Sequence, residues 1–179
     1  GVVLTIGSHA TPAPEYRMNC IVEGITISGN GTSNSGNVSV EIQEQANIYL
    51  KNLILSNSYT GLWLNGALEC SFDTITMRNN FVGLIANATT NFAPNLNRFK
   101  DCIFIENKSA INWDNGSGSS FFGCEIEGNN DSGSVGDGTI DLNFTNAGHV
   151  TFDHCWLEAD LGSIGIYWRA RAAYIVLKS

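Results

Sequence analysis

The sequence is short of positive charge. Nine Lys and Arg stand against seventeen Asp and Glu, a net charge of −8, so a surface built to hold nucleic-acid phosphates is not expected. Close cysteine pairs are also lacking: Cys20, Cys70, Cys102, Cys124 and Cys155 form an odd set of five with no CxxC. Such a set signals neither a zinc site nor a disulfide framework and fits synthesis in a reducing cytoplasm. No apolar run reaches the length of a membrane span, and Gly1 opens no charged-then-apolar leader, so membrane insertion is not expected. Helical spacing of apolar residues is scarce as well. Gly, Asn and Ser interrupt every stretch in which a period of about 3.6 would have to run, so very little helix is expected. Seven N-x-S/T triplets, at Asn30, Asn37, Asn87, Asn107, Asn115, Asn130 and Asn143, are what chance gives in a chain so rich in these residues.

What is present is a repeat. In the stretch N-R-F-K-D-C-I-F-I-E-N from Asn97 to Asn107, the apolar residues Phe99, Cys102 and Phe104 fall at offsets 0, +3 and +5, with Asn107 at +8. Two short extended pieces joined by a bend put all three side chains on one face, because strand side chains alternate and the bend uses one extra position. The pattern occurs six times, anchored on Val22, Leu50, Phe72, Phe99, Phe121 and Phe152. At +3 stand Ile25, Leu53, Ile75, Cys102, Cys124 and Cys155, and at +5 Ile27, Leu55, Met77, Phe104, Ile126 and Leu157. The +8 residues are Asn30, Ser58, Asn80, Asn107, Asn129 and Asp160, all suited to a turn. The anchors are 28, 22, 27, 22 and 31 residues apart, which is solenoid spacing.

A further alternating run closes each repeat: Leu62-Trp63-Leu64, Leu84-Ile85-Ala86, Ile111-Asn112-Trp113, Ile140-Asp141-Leu142 and Ile166-Tyr167-Trp168, with Val38 to Ile42 as a looser first member. The fold class expected is all-β: one parallel β-helix domain over residues 1–179, with three strands per coil and six to seven coils. Like columns then stack, with Cys102, Cys124 and Cys155 as free thiols inside and Asn80, Asn107 and Asn129 bonding one another along a turn. Both ends read as cut: Val2 to Ile6 resembles a strand of an earlier coil, Ile175 and Leu177 repeat the −2 and 0 positions of a seventh, and no amphipathic capping helix is visible.

These motifs, with L-T-I-G-S at 4–8, E-G-I-T-I-S-G-N-G at 23–31, N-L-I-L-S-N at 52–57 and T-G-L-W-L at 60–64, resemble the right-handed β-helix of the pectate-lyase-like group. Within it the chain looks most like bacteriophage tailspikes of the polysaccharide-depolymerase type. The resemblance implies a homotrimeric spike on the virion tail that binds a bacterial surface polysaccharide and often cleaves it. It implies no cofactor. The motifs are structural, and no catalytic motif of the group lies on this sequence residue by residue.

Fixing the inward positions leaves an outward set in the last two coils. Glu125 and Glu127 point outward from one, with Trp156 and Glu158 beside them on the next. Glycoside hydrolysis uses two carboxyl groups, one as acid and one as base or nucleophile; carboxylates crowded on neighbouring strands repel, which favours keeping one protonated. Trp156 offers a flat face to a sugar ring. Asp153 completes the candidate catalytic set, and His154, Tyr167 and Arg169 the substrate-binding one. Tyr167 with Arg169 also keeps elimination from a uronate open, since a base and a positive charge are what that reaction needs. Binding without cleavage, and an ordinary solvated acidic surface, remain alternatives. A metal site at Asp131, Asp137 and Asp141 is not favoured, because they lie across an irregular insertion. Outward Trp63, Ile85, Ile54, Ile103 and Ile105 suggest a subunit interface.

Overall fold

The computed structural model describes residues 1–7, 19–129, 142–146, 148–158, 166–169 and 175–178. Strand β1 is Val2–Gly7, followed by β2 (Cys20–Glu23), β3 (Thr26–Ser28), β4 (Val38–Gln43), β5 (Ile48–Ser56) and β6 (Thr60–Asn65). Next come β7 (Ser71–Arg78), β8 (Val82–Asn87), β9 (Arg98–Lys100), β10 (Ile103–Ile105), β11 (Ser109–Asp114) and β12 (Ser119–Phe122). The remainder are β13 (Glu125–Glu127), β14 (Leu142–Thr145), β15 (Val150–Asp153), β16 (Trp156–Glu158), β17 (Ile166–Arg169) and β18 (Ile175–Lys178). No helix occurs among the described residues.

The strands form two sheets. Seven make one, in the order β1-β4-β6-β8-β11-β14-β17, and the other eleven make the second. Pairing is parallel, and the chain passes back and forth between the sheets. The register is the one the repeat dictates. Phe99 pairs with Phe72 and Phe121, Phe104 with Met77 and Ile126, and Phe121 with Phe152.

The extra position between offsets 0 and +3 has a single backbone solution. At +2, Gly24, Asn52, Thr74, Asp101, Gly123 and His154 all have positive φ, between 51° and 73°. One left-handed residue breaks the alternation and returns the +3 side chain to the inner face. Gly, Asn, Asp and His reach this region readily; Thr74, β-branched, is the costly member.

Inside, the anchor column is a stack of rings. Phe72, Phe99, Phe121 and Phe152 lie 4.5, 4.5 and 4.6 Å apart between centroids, with interplanar angles of 19°, 7° and 7°. Trp113 packs edge-on against Phe99 and Phe121. Burial weakens where a strand has a neighbour on one side only. On β2 and β16, and at the bends beside them, Val22 and Cys155 are half-buried and Ile25 and Leu157 are each 41% exposed, although Ile27 on β3 stays buried.

The +8 residues are more than turn formers. Asn80, Asn107 and Asn129 are buried and bonded in series: Asn80 Nδ2 donates to Asn107 Oδ1, and Asn107 Nδ2 to Asn129 Oδ1, both at 3.0 Å. Their amides also donate to Leu55, Met77 and Phe104 carbonyls. Ser58 joins through its N–H, which donates to Asn80 Oδ1. Asn30 is exposed and takes no part, and Asp160 lies outside the described residues. Small residues flank this ladder of necessity. A Cβ on Gly61 would meet the Gly83 carbonyl oxygen at 2.7 Å and Asn80 Nδ2 at 3.0 Å.

One expectation needs correcting. In the seven-stranded sheet Asn112 pairs with Asn143 and Asn143 with Tyr167, as Ile111 pairs with Leu142 and Leu142 with Ile166. The register position expected for Asp141 is therefore held by Asn143; Asp131, Asp137 and Asp141 themselves lie outside the described residues. The irregular insertion before β14 hid the phase, since Ile140 and Leu142 fit an alternating pattern equally well.

Candidate functional site

Strands β13 and β16 position the carboxylate patch. Ile126 turns into the core, leaving Glu125 and Glu127 on the outer face, both half-buried. In register, Glu125 pairs with Trp156 and Glu127 with Glu158, so each pair is separated by one strand spacing, about 4.8 Å between backbones. On the other side Glu125 pairs with Ile103 and Glu127 with Ile105. Trp156 is 62% exposed, large and flat beside a carboxylate.

Asp153 and His154 sit at the preceding bend. His154 takes the left-handed conformation at φ 52°, and its Nδ1 lies 2.5 Å from Asp153 Oδ1. Its ring is 5.6 Å from that of Phe122, which is 47% exposed. A carboxylate facing Nδ1 accepts from the tautomer that carries its proton there, in which Nε2 is the ring's acceptor.

Glu125, Glu127, Glu158 and Trp156 therefore belong to two paired strands of one sheet, and Asp153 and His154 to the end of β15 and the bend that leads from it into β16. Tyr167 and Arg169 do not join them. Strand β17 lies in the other sheet, where Tyr167 pairs with Asn143 and Arg169 with Thr145. The outer face of that sheet holds Trp63, whose indole N–H donates to Asn87 Oδ1, and the buried Glu41, which accepts from Asn65 Nδ2 at 3.0 Å. Trp63, Ile85, Ile54, Ile103 and Ile105 are all half-buried.

The five cysteines are free thiols. Burial pushes Cys70 up to about 11; a hydrogen bond with Cys102, followed by burial, pushes Cys124 up to about 12. A bond with Cys124, then burial, raises Cys155 as well. Protonated thiols make poor nucleophiles and poor metal ligands at neutral pH. Among the described residues no group of three or more His, Cys, Asp and Glu is arranged to hold a metal ion.

Set against protein-family models, curated proteins and solved structures, the chain has no match. What the site can do must come from its own groups. Three carboxylates on paired strands, an exposed indole and an Asp–His pair supply proton transfer and a platform for a ring with apolar C–H faces.

A cleft of about 430 Å³ escaped the sequence reading. Its walls include Thr32, Asn79, Phe81, Glu106 and Lys108. Asn79 and Glu106 precede, and Phe81 and Lys108 follow, a ladder asparagine. The signal was therefore available at offsets +7 and +9, beside the column that drew attention.

Proposed function

We propose that the chain is a segment of a homotrimeric phage tailspike that binds a bacterial surface polysaccharide and hydrolyses it on the outer face of β13 and β16. The fold in this reading is a right-handed parallel β-helix with three strands per coil and six to seven coils. In-register parallel pairing, and the alternation of the chain between two sheets, support it. The observation that carries the function is the double pairing of Glu125 with exposed Trp156 and of Glu127 with Glu158.

The indole holds a sugar ring, and the carboxylates flank its glycosidic bond. One carboxyl protonates the leaving oxygen and the other attacks or activates water. The retaining mechanism calls for carboxyls about 5 Å apart, and the pairing of Glu127 with Glu158 at one strand spacing between backbones supports that reading over the inverting one. Asp153 and His154 border the same ring. The spike acts outside the host cell after assembly in its cytoplasm, and the partly covered Trp63 and Ile85 mark the face where subunits meet.

The assay is release of new reducing ends from host polysaccharide, with Glu127→Gln and Glu158→Gln as variants. Each should abolish cleavage without disturbing assembly; full activity in both removes the patch. Intact polymer that still binds would select the non-catalytic glycan-binding reading, which exposed Trp156 supports independently. The Asp153–His154 pair favours a lyase as second reading, since Nε2 is placed to take a proton. Ultraviolet absorbance of an unsaturated uronate would reveal it.

A further inference from the structure

The cleft at Asn79, Phe81, Glu106 and Lys108 adjoins the carboxylate patch. Glu106 follows Ile105, and Ile105 is the in-register partner of Glu127, so the two surfaces are separated by about one strand spacing and one residue. We propose that this cleft is a second sugar-binding site, taking one neutral hexose unit. The assignment to sugar rests on the glycan reading above, and the location rests on the cleft itself.

Its back wall is rigid. Behind it, Asn80 and Asn107 spend their amides on the ladder and on the Leu55 and Met77 carbonyls, so they hold the wall in place. Phe81 is fixed on one face by Tyr59, stacked at 4.5 Å and 13°, and on the other by Lys108 Nζ, 5.3 Å from the ring centroid. Asn79 and Glu106 take positive φ, 54° and 56°, and are exposed beside it.

The chemistry favours hydroxyls over charge. One carboxylate and one ammonium border the cleft, so its walls carry no net charge, and the carboxylates of the adjoining patch disfavour a phosphate. A carboxylate accepts from two adjacent hydroxyls, while an amide and an ammonium donate to ring and hydroxyl oxygens. The Phe81 edge supplies apolar contact for C–H groups. About 430 Å³ is ample for one hexose unit of a polymer continuing toward Glu127.

The test is titration of the intact protein with glucose, galactose and N-acetylglucosamine, and with inorganic phosphate as the charged control, followed by amide NMR. Shifts at Asn79, Glu106 and Lys108 with at least one sugar are expected, together with their loss in the Glu106→Ala/Lys108→Ala double variant and in Glu106→Gln. They should persist in Trp156→Ala. No shift with any sugar, shifts with phosphate alone, or shifts that survive the double variant and vanish in Trp156→Ala would overturn the cleft. Shifts at the cleft combined with no binding of host polysaccharide to the patch would leave the cleft standing and sink the reading of β13 and β16.

Discussion

Asn107 Oδ1 accepts two hydrogen bonds from Asn80, one from its side-chain amide at 3.0 Å and one from its backbone N–H at 3.1 Å. A single side chain thus satisfies both the backbone and the side-chain amide of the ladder residue one coil before it, while its own Nδ2 serves the Met77 carbonyl. Asn107→Ala removes these bonds and the one from Nδ2 to Asn129 Oδ1, taking a partner from the Asn80 N–H and from the Met77 carbonyl in a buried place. The expected loss is about 3 kcal/mol, each orphaned group costing about 1–3 kcal/mol less what relaxation recovers. Asn107→Asp should be no better, since it faces carbonyl oxygens with a carboxylate. Denaturant midpoints of the two variants check both statements.

The ring stack predicts a graded series at one position. Phe121 lies between Phe99 at 4.5 Å and Phe152 at 4.6 Å and is fully buried. Phe121→Ala should cost about 3–5 kcal/mol, and Phe121→Leu clearly less, because it refills most of the volume. Thermal unfolding of the pair decides; equal losses would mean that ring stacking, not volume, matters here.

Gly61→Ala should destabilise by about 1–3 kcal/mol through overpacking, because the added methyl meets the Gly83 carbonyl and the Asn80 amide below ordinary contact distance. Nothing about its φ requires glycine, so the same change would be harmless in a looser neighbourhood. An unchanged unfolding midpoint would contradict the close approach.

The thiols predict an alkaline limit. Cys70 and Cys124 rise from 9.0 to about 11 and about 12 in the folded chain, so above pH 9 the unfolded chain releases protons that the folded one retains. Fewer protons bound in the unfolded state means stability falls as pH rises. Their contribution is complete below pH 9 and declines by about 1.4 kcal/mol per pH unit per thiol, Cys70 levelling off near 11 and Cys124 near 12. Replacing both with Ala should flatten the stability profile in that range.

Trp156 supplies the surface prediction. At 62% exposure, Trp156→Ala should alter stability by no more than about 0.5 kcal/mol. Polysaccharide binding should weaken about tenfold, the loss of one ring contact worth about 1.4 kcal/mol. Calorimetric titration against unfolding curves separates the two.

Phase was legible in the sequence wherever large apolar residues punctuated it. Phe99, Cys102 and Phe104 set a register that the pairing reproduces from Val22 to Leu157, and with it the outward placing of Glu125 and Glu127. Two features were hidden for physical reasons. Asn143 replaced Asp141 because an irregular insertion leaves two phases equally apolar. The inward turn of the asparagine ladder was masked by chemistry, since a polar residue reads as exposed until its partners are known. Asn97 is the plainest case: buried, it accepts from the Cys70 N–H and donates to the Ala67 carbonyl, contacts with residues about thirty positions away.

The connections between the sheets differ greatly in length while the strands they join keep step. β6 and β8 are in register, as are β7 and β9, yet β7 begins at Ser71 after β6 ends at Asn65, whereas β9 begins at Arg98 after β8 ends at Asn87. The longer excursion adds loop-closure entropy that grows only slowly with length. The frame and its excursions are therefore separable parts: new residues spliced into such a connection can acquire contacts of their own while the interior keeps its alignment.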